Sequence, residues 1–173
     1  MTDRLTSSYI KKYSELLLYC ALILLLALHK AFAFPNLSLF ILLSPLLFKD
    51  FKLLDRWSLL WLFIPFANFM GYKPYEILNL SLFAFAEELF FRAYLMQRYS
   101  NLAVSFMFVL PHLLLNPSLS AVLTFFPSLI FGYAYRLTNS LSFSSFLHFW
   151  SNAVYLRALA LWDFPRILHI PLF

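Results

Sequence analysis

Long apolar runs separated by short polar breaks order this chain. The first run covers about residues 15–34 and follows Arg4, Lys11 and Lys12. A shorter run at about 37–48 ends at Lys49-Asp50, and it is expected to be tilted or re-entrant. The polar stretch from Lys49 to Arg56 is the clearest loop. Further runs follow at about 57–70, 76–98, 100–115, 118–137 and 141–162. They are broken at Gly71-Tyr72-Lys73-Pro74, at Asn116-Pro117 and around Thr138 to Ser140. A membrane span needs roughly 20 residues, so the pattern predicts about six or seven spans. Every span is expected to be helical, because lipid cannot satisfy an open sheet edge and the runs are too continuously apolar for barrel strands. Pro45, Pro65, Pro111 and Pro127 lie within or near the ends of these runs and are expected to kink them. The predicted fold is all-α: a polytopic transmembrane helical bundle forming one integral membrane domain over residues 1–173. No internal repeat or linker divides it.

Composition changes this picture little but excludes much. Hydrophobic residues make up 62% of the chain, charged ones 12%, and the mean hydropathy is +0.77. Average proteins carry about 25% charged residues, so most of this surface has lipid as its solvent. The net charge of +5 does not point to nucleic acid, because the basic residues sit between apolar runs and form no basic-aromatic stripe. They set topology instead. With the N-terminus in the cytoplasm, Lys11, Lys12, Lys49, Lys52, Arg56, Arg98 and Arg136 fall on the cytoplasmic side. Lys73 and Arg166 fall opposite. The first run is too long for a typical signal-peptide core and is expected to be a retained transmembrane helix. Cys20 is the lone cysteine, so no intrachain disulfide forms.

Three places break the apolar pattern in the second half. The first is Glu87-Glu88-Leu89-Phe90-Phe91-Arg92, near the middle of the 76–98 run. Each charge at the bilayer centre costs roughly 2.5–3.5 kcal/mol on insertion scales, while each Leu, Ile or Phe returns about 0.3–0.6. The ten Leu, Ile and Phe residues of that run offset roughly 5 kcal/mol against roughly 7–10 for the three charges. Glu88 and Arg92 are four apart and can pair on one helix face. Glu87 points about 100° away and lacks that partner, which is the position of a general base. The second break is His112, beside Pro111. The third is His148 with Asn152, whose spacing of four puts both on one face. Two donors on one face can hold an oxyanion, or can simply link helices. Together the three breaks bring two carboxylates, two imidazoles, a guanidinium and an amide to similar depth in three helices. Nothing comparable exists in the first half, where snorkelling accounts for His29 and Lys30.

Glu-Glu-x-x-x-Arg, then Phe-x-x-x-His, then His-x-x-x-Asn, in that order, resembles the CAAX-protease and bacteriocin-processing family, also called the abortive-infection family. The motifs are complete here as Glu87-Glu88…Arg92, Phe108…His112 and His148…Asn152. The resemblance implies an intramembrane glutamic endopeptidase with catalytic helices over about 76–162. It implies that Glu87, helped by His112, activates water, that His148 and Asn152 hold the oxyanion, and that Glu88 and Arg92 orient the site. It implies no metal and no other cofactor. The expected partner is a membrane-associated protein or peptide substrate. The chain is short for prenyl-protein members and is more similar to compact bacterial processing enzymes, so an unprenylated substrate and the bacterial inner membrane are expected.

Three other functions use the same residues. Two Glu and two His are plausible metal ligands, although no His-Glu-x-x-His or Glu-x-x-His pair occurs. Some family members serve as non-catalytic immunity or scaffold proteins. A proton-coupled transporter also uses buried Glu and His, but the absence of repeats and of Gly-broken helices speaks against it.

Overall fold

The computed structural model describes residues 2–161, and every regular element in them is helical. Helix α1 spans Thr2–Phe32. Helix α2 (Ser38–Leu43) runs into a 3-10 turn at Ser44–Leu47, and a long 3-10 helix follows at Arg56–Met70. Helix α3 (Pro74–Glu88) continues without a break into a π-helical stretch, Leu89–Tyr94, and a 3-10 turn, Leu95–Gln97. Helices α4 (Asn101–Leu115), α5 (Leu119–Leu123), α6 (Phe125–Thr138) and α7 (Leu141–Leu161) complete the bundle. Arg166, expected in a loop opposite the N-terminus, lies outside the described residues.

The elements alternate in direction, and side chains at the two ends tie them together. At one end, Lys49 donates to Glu15 of α1 at 3.1 Å and to Gln97 at 2.9 Å, and Arg98 approaches Glu15 at 3.8 Å. At the other end, Lys30 donates to the carbonyl of Leu115 at 3.1 Å. The short run at 37–48 therefore does travel back along α1, since Lys49 ends beside Glu15. It covers the distance with few residues by mixing a six-residue helix, a 3-10 turn and extended chain.

The 57–70 run is also short, and it is tightly wound. A 3-10 helix rises about 2.0 Å per residue, so the 15 residues of Arg56–Met70 reach about 30 Å. Three residues per turn put every third side chain on one stripe. Ser58, Trp61, Ile64, Ala67 and Met70 form that stripe, and all five are at least half-covered, while Leu59, Leu62, Phe63, Phe66 and Phe69 are exposed. The stripe lies along α7. Ser58 shares a hydrogen bond with Ser142 at 2.9 Å, and the Trp61 indole donates to the Ser142 carbonyl at 3.2 Å. Ile64 and Ala67 pack with Phe149 and Ala153. The Asp55 carboxylate caps the start by accepting from the Trp57 amide at 2.8 Å. Gly71 ends the helix in the left-handed region at φ 82°. There the Arg157 guanidinium donates to the Met70 carbonyl and lies over the Tyr72 ring at 4.8 Å.

Prolines act differently by position. Pro111 sits inside α4, and Pro65 inside the 3-10 helix, without interrupting either. Pro45 marks the change from α-helix to 3-10 turn. Pro127 lies in the first turn of α6, where a missing N–H is tolerated, and the 118–137 run is broken just before it at Thr124.

Close helix packing depends on small residues, which let backbones approach. Ala67, Ala84, Ala86 and Ala153 are completely buried, as are Ser105, Ser128, Ser144 and Ser145. Gly132 serves the same end: a Cβ there would overlap the Asn101 side-chain amide, which donates to the Leu129 carbonyl at 2.9 Å. Gly132→Ala should therefore destabilise the bundle by about 1–3 kcal/mol, the usual cost of overpacking. Adding Asn101→Ala should restore most of that. Denaturant unfolding of the single and double variants in detergent checks both.

Candidate active site

The 74–97 segment is the central element of the bundle. Its π-helical stretch is buried at all six residues, Leu89 to Tyr94, so it has no solvent or lipid face there. A π-helical turn inside an α-helix is rare and frequently marks a functional site. Here it begins directly after Glu88 and contains Arg92.

Glu88 and Arg92 are both fully buried, and Arg92 Nε donates to Glu88 Oε2 at 3.2 Å. Two charges out of water are tolerated only when their remaining hydrogen-bonding capacity is met. Most of it is. Arg92 Nη2 donates to the Ser128 hydroxyl of α6 at 2.8 Å, and the guanidinium lies 5.4 Å from the Phe108 ring centre of α4. The other Glu88 oxygen, Oε1, accepts from His148 Nδ1 of α7 at 3.1 Å. One ion pair thus joins four helical elements. Arg92 Nη1 is the exception, buried with no hydrogen-bond partner among the described residues.

His148 sits between the two carboxylates. Its Nδ1 meets Glu88, and its Nε2 lies 3.5 Å from Glu87 Oε2. The ring stacks on Phe131 at 4.7 Å and meets Phe108 edge-on at 5.8 Å. Glu87 therefore has an imidazole neighbour, where the sequence alone placed no partner for it. Its side chain is also 20% exposed, whereas Glu88 is at 0%. That exposure opens into a cavity of about 160 Å³.

His112 lines the same cavity. Its Nδ1 lies 2.8 Å from the Phe108 carbonyl one turn earlier. A carbonyl can only accept, so Nδ1 carries the proton, and in the neutral form of the ring Nε2 is an acceptor. The ring also packs on Phe108 at 4.6 Å. Asn152 lies one turn beyond His148 on α7, is half-buried, and its amide makes no hydrogen bond to the described residues.

The structure thus gathers Glu87, Glu88, Arg92 and His148 into one connected cluster. It puts Glu87 and His112 on one cavity, and leaves Asn152 adjacent on α7. Sequence reasoning missed Ser128 and Phe131, whose only signals were one serine and one of many phenylalanines in an apolar run. It also looked for nothing in the first half, yet Leu22, Leu26, Asn36, Ser38 and Leu42 form the cavity wall facing Glu87. Among the described residues, no group of three or more His, Cys, Asp or Glu is arranged to hold a metal ion.

Residues 74–154 match the family model described as type II CAAX prenyl endopeptidase Rce1-like. The matched segment starts at the first residue of α3, ends within α7 and contains all six candidate site residues. No curated protein and no solved structure matches the chain significantly.

Removing the guanidinium while keeping its bulk isolates the ion pair. Arg92→Met should cost about 3–5 kcal/mol of stability by stranding the Glu88 charge, whereas Ser128→Ala, which removes one hydrogen bond to the guanidinium, should cost less, about 1.5–3 kcal/mol. Unfolding curves for the two variants in the same detergent give the comparison.

Proposed function

Because residues 74–154 of this chain match the Rce1-like CAAX endopeptidase family model, we propose that it is a polytopic intramembrane endopeptidase that uses Glu87 and His112 to activate water. The observation that carries this reading is the division between the two adjacent carboxylates. Glu88 is sealed against Arg92, and Glu87 faces a cavity that it shares with His112. Peptide hydrolysis needs a base beside a water-sized space and donors for the oxyanion. Glu87 takes the proton of the attacking water, and the free Nε2 of His112 accepts a hydrogen bond from the same water and aligns it.

His148 and Asn152 serve the oxyanion. His148 Nε2 and Glu87 Oε2 approach at 3.5 Å, and two acceptors facing each other need a proton on one of them. A proton held between them gives Nε2 of the ring the donor that the oxyanion needs. Glu88 holds that ring in place through Nδ1, and Arg92 holds Glu88. After attack, the proton on Glu87 passes to the leaving amine.

The membrane setting is supported by what the bundle exposes. Among the described residues, one helix segment, Tyr13–Phe32, is by length and composition able to cross a membrane alone. The other elements are shorter or carry the site's charges. Yet large apolar side chains such as Leu47, Leu54, Leu62 and Phe69 are outermost, while Glu88 and Arg92 are innermost. A water-soluble protein buries apolar groups and rarely buries charge. The 3-10 helix, at about 30 Å, also matches the thickness of a bilayer's hydrocarbon core. Lys49, Lys52, Arg56 and Arg98 collect at the end of the bundle near Glu15, and by the positive-inside rule this supports a cytoplasmic N-terminal end of α1.

Two experiments test the proposal. Glu87→Gln and His112→Ala should each abolish cleavage with folding intact, and His148→Ala or Asn152→Ala should lower turnover by about 100- to 1000-fold. Comparison of protein termini in membranes of cells carrying wild type or Glu87→Gln at equal levels reads this out, with peptide ends lost in the variant. Matching termini would refute the mechanism. For topology, single cysteines at Lys52 and Ser100 in a Cys20→Ala background should be shielded from an impermeant thiol reagent added to intact cells. Cysteines at Lys73 and Asn116 should be labelled.

A further inference from the structure

The cavity beside Glu87 has a wall that the family-matched segment does not supply. Leu22 and Leu26 of α1 and Leu42 of α2 face Glu87, Phe91 and His112 across it. These three leucines are 1–3% exposed and belong to the main core, packed with Phe91 and Phe108. The wall is therefore fixed by close packing rather than free to reshape. At its rim stands Asn36, exposed, with its side-chain oxygen accepting from the Ser38 amide at 3.0 Å.

Size limits what this space can hold. Its volume is about 160 Å³, and an apolar cavity of about 150 Å³ takes a molecule the size of benzene. A leucine, methionine or phenylalanine side chain fits that measure. A farnesyl chain, with roughly two and a half times the carbons of benzene, exceeds it. Apart from Glu87, His112, Asn36 and Ser38, the lining is leucine, phenylalanine and proline, with no basic residue, so an anionic side chain would enter unpaired at high cost.

Resting on the catalytic reading above, we propose that this cavity is a specificity subsite. It takes one leucine-, methionine- or phenylalanine-sized side chain of an unprenylated peptide next to the bond that is cut, and Leu22, Leu26 and Leu42 set its size. The peptide then presents its scissile carbonyl between Glu87 and His112, with the apolar side chain against α1 and α2.

The test uses the full chain in detergent with unprenylated membrane-spanning peptides, a randomised segment following the apolar stretch, and products read by mass spectrometry. Wild type should cut next to Leu, Met or Phe. Leu42→Phe, which fills the cavity, should shift relative kcat/KM toward Ala and Ser by about 10- to 200-fold, the range that one small group commands in an apolar pocket. Leu22→Ala should shift it toward Trp. Unchanged preference in both folded variants, or a comparable preference for the farnesylated form of a cut peptide, overturns the subsite. A second measurement needs no turnover and no altered wall: Glu87→Gln enzyme is irradiated with a peptide carrying photo-leucine. Labelling of Leu22, Leu26 or Leu42 supports the subsite, and labelling confined to other elements overturns it. Labelling at that wall together with wild type that cuts no peptide would leave the subsite standing and sink the catalytic reading instead.

Discussion

The Glu88–Arg92 ion pair is the constraint on which the rest of this bundle depends. Two full charges at the centre of an apolar protein cannot stay unless each is met by the other and by further polar groups. Meeting them requires Ser128 of α6, the ring of Phe108 on α4 and His148 of α7 to arrive at fixed positions around the π-helical turn. The same requirement that makes the pair tolerable therefore specifies which helices surround it. Apolar packing alone, with so many interchangeable leucines and phenylalanines, would not choose among arrangements so sharply.

The chemistry proposed here follows from what the pair leaves unoccupied. Glu88 commits one oxygen to Arg92 and the other to His148 and is fully buried, so no substrate reaches it. Glu87, one residue earlier, shares the helix but not the burial. Adjacent residues on a helix differ by about 100° in direction, and that rotation turns one carboxylate into the core and the other toward the cavity. His148 touches both, which lets a structural ion pair orient a group beside the reacting one.

Much of this was readable in the sequence because charge in an apolar run is conspicuous. Glu87, Glu88 and Arg92 stand out against their surroundings, and the spacing of four between Glu88 and Arg92 and between His148 and Asn152 fixes faces without any structure. The apolar runs located most helical segments to within a few residues, but α1 begins at Thr2, well before the run at 15–34, and the 118–137 run is two helices divided at Thr124. What could not be read was conformational type. The stripe of Ser58, Trp61, Ile64, Ala67 and Met70 has a period of three, yet each member also sits among apolar neighbours that would suit an α-helix. Nor does any residue in 89–94 announce a π-helical turn. The contribution of α1 and α2 was hidden for a different reason: leucines that line a cavity look like leucines that face lipid.

The account divides two neighbouring glutamates into one that holds the bundle and one that reacts, and thermal unfolding of the purified Glu87→Gln and Glu88→Gln proteins tests that division most directly. Glu88→Gln removes the charge opposite a fully buried guanidinium, so its melting temperature should fall well below that of wild type, while Glu87→Gln should melt close to wild type. Equal losses in the two variants, or a larger loss in Glu87→Gln, would contradict the account.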